Sequence, residues 1–109
     1  MNVRLYLAQR ISAAVMAPLV LIHLLLIVYA IKGGLTAADI LGRTRGSLVW
    51  GLLYETFVIA AAVHGAIGAR TVAHEWAGLN GLALDVLAWL FGALLLVLGS
   101  RAVFAVVLA

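Results

Sequence analysis

Three apolar runs, each about as long as the hydrocarbon core of a bilayer requires, constrain this 109-residue chain more than any other feature. Crossing roughly 30 Å of hydrocarbon takes about 20 helical residues. The runs cover residues 11–31, 47–69 and 82–101. They are continuous and do not alternate, and a small open sheet would leave unpaired backbone edges in lipid, so the runs are expected to be helices. The fold class is therefore an all-α integral membrane protein with three transmembrane helices, in a single membrane domain over residues 1–109. Composition agrees: 67% of residues are hydrophobic and 10% are charged, against about half apolar in a soluble domain.

The same composition removes several functions. Seven basic and four acidic residues are scattered between the apolar runs and form no patch, which excludes nucleic-acid binding. The chain has no cysteine, so disulfides, zinc–thiolate sites and iron–sulfur ligation are excluded. The lead-in Met1–Arg4 is short and has no small-residue cleavage site, so the first run is expected to stay in place as a membrane helix. Hydrophilic chemistry is then expected on other chains.

Between the runs, Lys32–Gly34 and Asp39–Gly46 are expected to form a polar loop with a short interfacial helix. Thr71–Gly81 is expected to be a second loop, carrying His74, Glu75, Trp76 and Asn80. Arg101 interrupts the third run and is read as snorkelling to an interface, with a short apolar tail beyond it. Tyr6, Tyr29, Trp50 and Trp76 fall near run ends, as in an aromatic belt. Trp89 does not, which points to packing against a partner helix. Glu55 and Asp39 are read as interfacial. Arg4, Arg10 and Arg70 on one side nearly balance Lys32, Arg43 and Arg45 on the other, so basic residues do not set the orientation.

An ionisable ring in hydrocarbon is costly and marks a functional site by default. His64 follows Phe57–Val63, all apolar, and precedes Gly65-Ala66-Ile67-Gly68-Ala69-Arg70; His23 lies deep in the first run. Imidazole ligates iron well, so two histidines on two spans point to haem, against the alternative of polar contacts between helices. Glycines beside His64 would let a flat macrocycle or a neighbouring helix come close. The two histidines lie at different depths, so a single iron is not expected to take both. Either they serve two haems or only one of them is a ligand. Pro18 removes a backbone donor ahead of His23 and is expected to kink the helix. Arg10 and Ser12, at the mouth of the first span, suit a quinone carbonyl that gains charge on reduction; the alternative is plain interfacial anchoring. Glu75 and Trp76 could supply a proton route and an aromatic wall.

At this point the chain resembles the small three-helix membrane anchors of succinate dehydrogenase and fumarate reductase. The second-span motif of that family, His-x-x-x-Gly-x-Arg with an acid eleven residues past the histidine, reads here His64, Gly68, Arg70 and Glu75. The first-span motif Arg-x-Ser/Thr, often preceded by His or Gln, reads Gln9-Arg10-Ile11-Ser12. The resemblance implies that His64 is an axial ligand of haem b, and that a second anchor subunit gives the other ligand. Arg10 and Ser12 would border the quinone site, with Glu75, Trp76 and Arg70 close by. Leu21-Ile22-His23-Leu24 is similar to the first-span ligand stretch of the two-haem branch, which implies one or two haems.

The implied role is that of a cytochrome b anchor passing electrons between an iron–sulfur subunit, itself bound to a flavoprotein subunit, and membrane quinone. The resemblance places it in the cell inner membrane with its N-terminus and the Arg70–Gly81 loop cytoplasmic. Two other readings remain: a haem-free assembly anchor of the same kind of complex, and a small proton-coupled transporter. The latter needs a mid-membrane carboxylate and usually a fourth span.

Overall fold

The helices outlast the apolar runs that define them. A computed structural model describes residues 2–108, and in it α1 covers Val3–Gly33, α2 Ala37–Thr44, α3 Leu48–Ala77 and α4 Gly81–Val107. Three of the four are long and apolar enough to cross a membrane, and among the described residues there is no strand. The chain is a multi-pass, all-α membrane protein.

Capping chemistry explains where the helices begin and end. Asn2 Oδ1 accepts from the Leu5 amide at 2.9 Å, so α1 starts eight residues before its apolar run. Thr36 caps α2 through the Asp39 amide, and Ser47 caps α3 through the Trp50 amide. Each side-chain oxygen satisfies one of the orphan donors of a first turn. The helix α3 continues to Ala77 and stops where Gly78 takes the left-handed conformation (φ 72°) and bonds back to Ala73 O, a position that favours glycine. The expected Thr71–Gly81 loop is therefore mostly helix: His74, Glu75 and Trp76 sit on the last turns of α3, and only residues 78–80 connect it to α4. Polar residues suggested a loop there, but none of them breaks a helix before Gly78. Likewise α4 runs through Arg101 to Val107, so Arg101 does not end the helix. Helix α1 also runs unbroken through Pro18.

The three spans form an elongated layer with extents of 47 × 23 × 23 Å, long enough to cross the hydrocarbon core and enter both interfaces. Helix α3 is central and packs against α1 on one side and, more extensively, against α4 on the other. The α3/α4 seam is built on small residues. A β-carbon added at Gly99 would lie 2.6 Å from Val58 Cγ1, one at Gly65 2.7 Å from Leu95 Cδ1, and one at Gly92 3.0 Å from Ala66 Cβ. Such close approach is how membrane helices gain packing when lipid removes the hydrophobic drive between them. Gly65 therefore serves the α4 contact.

Glu55, expected at an interface, lies within this seam: Ser100 Oγ donates to Glu55 Oε1 at 2.7 Å, and Oε2 is enclosed without a partner among the described residues. The short α2 ties the far end together. The buried Thr44 hydroxyl donates to Val106 O at 2.6 Å, and the Gly46 amide donates to Val107 O at 2.6 Å.

Candidate functional site

The α1/α3 seam is polar where the α3/α4 seam is small. On α1 the residues turned toward the bundle recur at 5, 8, 9, 12, 16, 19, 26 and 30, the three-and-four spacing of one helical stripe. Ser12, with Gln9 one of its two polar members, is 6% exposed. Its hydroxyl donates to the Gln9 carbonyl at 3.0 Å and lies 3.3 Å from His64 Nδ1 on α3. One turn further along α3, Gly68 faces the Gln9 side chain, whose Nε2 would be 3.7 Å from an added β-carbon. Gln9 Oε1 is enclosed and has no donor among the described residues. Gln9, Ser12, His64 and Gly68 thus form one cluster between two spans.

The Ser12 contact bears on which tautomer His64 takes. A serine hydroxyl carries one hydrogen. If that hydrogen goes to Gln9 O, His64 must donate through Nδ1–H to Ser12 Oγ, and two hydrogen bonds form. The opposite tautomer would take the hydroxyl hydrogen for Nδ1 and keep only one. In low dielectric the arrangement with more bonds wins. The Nε2 lone pair is then free, with no partner among the described residues, and His64 as a whole is only partly buried. A neutral imidazole with Nδ1–H held and Nε2 free is the form in which histidine binds a metal. This donor chemistry fits a haem iron, which His64 would hold through Nε2.

His23 lies eleven residues past Ser12 on α1, about 16 Å further along the helix. Its ring meets Phe57 of α3 edge-on, with centroids 5.4 Å apart and planes at 85°. It borders an apolar groove of about 500 Å³ between α1, α3 and α4, with Tyr54, Phe57, Val58 and Gly99 in its wall and Thr44 of α2 at its end. No hydrogen bond holds the His23 ring among the described residues. The two histidines therefore occupy separate levels, and one iron cannot take both. Among the described residues no group of three or more His, Cys, Asp or Glu side chains converges.

The remaining expected site residues are not brought together. Arg10 is exposed: its Nη1 donates to Tyr6 Oη at 3.3 Å, and its guanidinium stacks on the Tyr6 ring 5.6 Å from the centroid. Two residues on, Ser12 points about 200° away and is covered, so the structure does not offer the pair as one surface to a quinone. Arg70 faces α4, where its Nη2 pairs with Asp85 Oδ1 at 3.3 Å. This pair stands at the edge of a second groove of about 700 Å³ that includes Trp89. Glu75 and Trp76 are both exposed, Trp76 at 85%. Glu75 lies on the same stripe of α3 as His64, eleven residues or about 16 Å beyond it. His74 donates from Nδ1 to the Leu79 carbonyl at 2.8 Å and closes the α3 terminus.

These spans, with the two motifs placed as described, are matched along residues 1–108 by the family model of the succinate dehydrogenase/fumarate reductase transmembrane subunit. The chain belongs to this family. No curated protein and no solved structure matches it. As a succinate dehydrogenase/fumarate reductase transmembrane subunit, the chain has a membrane-anchor role. Sequence reasoning missed the participation of Gln9 in the cluster, the Phe57 contact of His23, and the Glu55–Ser100 bond. Only the first had a signal, since Gln9 shares the α1 stripe with Ser12.

Proposed function

We propose that this subunit is the cytochrome b anchor of a succinate:quinone oxidoreductase, passing electrons between an iron–sulfur subunit and membrane quinone. The observation that supports the reading is the place of His64: an imidazole inside a span, with Nδ1 3.3 Å from Ser12 Oγ of the neighbouring helix. His64 would be one axial ligand of haem b, and a second anchor subunit would supply the other, because this chain has no second imidazole at that level. His23 would serve a second haem in the same way from the groove beside Phe57. Haem b held in this way would supply a one-electron relay.

The chain's own residues do the rest. The spans would hold the soluble iron–sulfur and flavoprotein subunits at the inner membrane, with the N-terminus on the cytoplasmic side. Arg10, exposed at the N-terminal end of α1, would stabilise the charge that a quinone oxygen gains on reduction. Glu75, exposed at the same end of the bundle, would exchange protons with water, beside Trp76. Arg70 would stay near the site through its pair with Asp85.

The test is a reduced-minus-oxidised visible spectrum of the purified complex as wild type, His64→Ala and His23→Ala. The expected result is a b-type α band in which each substitution removes a separable component. A wild-type complex with no b-type band overturns the haem reading and leaves a haem-free anchor. An unchanged spectrum in His23→Ala reduces the subunit to one haem.

A further inference from the structure

Ser12 stands where a quinone contact was expected, yet it is turned away from Arg10 and covered by α3. Its one donated hydrogen goes to the Gln9 carbonyl, and its oxygen faces His64 Nδ1 at 3.3 Å. We propose that Ser12 is a positioning residue for His64: together with the Gln9 carbonyl it fixes the Nδ1–H tautomer, aims Nε2, and sets the redox potential of the iron that Nε2 would bind. The inference rests on the haem reading above and reassigns Ser12 from the quinone to the metal.

The chemistry follows from the chain of donors. An Nδ1–H that donates to an acceptor makes the ring a more basic ligand at Nε2. A more basic ligand favours ferric over ferrous iron and lowers the potential. The acceptor is strengthened because its own hydrogen is committed to a carbonyl, so the two bonds polarise each other. Helix geometry makes the arrangement stable. A serine or threonine hydroxyl in a helix reaches the carbonyl three or four residues back, and Gln9 is three back from Ser12. Ser12 is 6% exposed, so its hydroxyl is shielded from competing water.

The experiment compares the purified complex as wild type, Ser12→Ala, Ser12→Thr and Ser12→Cys, by potentiometric titration of the b-type bands, haem content and the KM for quinone. Ser12→Ala is expected to raise the potential of one b-type component and to weaken haem retention at that site about 10- to 100-fold. The other component and the KM for quinone stay unchanged. Ser12→Thr keeps the hydroxyl and restores the wild-type potential. Ser12→Cys, a weak acceptor of similar size, gives an intermediate shift and supplies the readout if the alanine variant fails to assemble. An unmoved potential in Ser12→Ala and Ser12→Cys, or a raised KM for quinone with both bands intact, overturns the inference. So does a shift in Ser12→Thr as large as that in Ser12→Ala. A wild type without any b-type band defeats the haem reading itself, which separates the two failures.

Discussion

The two seams along α3 are built from opposite materials. Toward α4 the helix presents small residues in tight register, with Gly99, Gly92 and Gly65 leaving space that Val58, Ala66 and Leu95 fill. Toward α1 it presents His64, with Gly68 set against an amide and Ser12 against the imidazole. In lipid, close packing of small residues is what joins helices, whereas an ionisable ring is an expense that packing does not require. One seam therefore holds the bundle together, and the other holds an imidazole in one orientation. The Glu55–Ser100 bond and the Arg70–Asp85 pair are the polar exceptions on the α4 side.

Glycine substitutions separate the two seams most sharply. Gly99→Ala puts a methyl group within 2.6–3.3 Å of three Val58 atoms. Overpacking of this kind costs about 1–3 kcal/mol, read as a lower midpoint in detergent or denaturant unfolding. Equal stability of wild type and Gly99→Ala would break the assignment of that seam to packing. Gly68→Ala is the smaller, opposite case. Its new methyl meets only the Gln9 side chain at an ordinary 3.7 Å, and alanine is better than glycine inside a helix by about 0.5–1 kcal/mol. The midpoint is expected to hold or rise slightly. A loss of stability as large as that of Gly99→Ala would mean that the α1/α3 seam is closed as tightly as the other.

How much of this was legible in the sequence depends on the scale of the question. The three spans follow from run length alone, because lipid forces each run to satisfy its own backbone. Their ends do not. Hydropathy marks what sits in hydrocarbon, while capping by Asn2 and the left-handed Gly78 decides where helical bonding starts and stops. For the same reason His74, Glu75 and Trp76 read as loop residues and are helical.

The site divides in a similar way. His64 was visible as a polar residue in an apolar run, and His23 likewise. That Ser12 belongs to His64 and not to Arg10 was out of reach, since it depends on how α1 rotates against α3. Spacing within α1 places Ser12 and Arg10 on different faces, but only the antiparallel register with α3 sets His64 opposite Ser12.

In the proposed reading, His64 gives Nε2 to a haem iron. Low-temperature electron paramagnetic resonance of the oxidised complex, as wild type and His64→Ala, tests it most directly. The account predicts low-spin ferric signals of bis-imidazole type in the wild type, one of which is lost or replaced by a high-spin signal in His64→Ala while the complex remains assembled. Identical low-spin signals in the two proteins would contradict it.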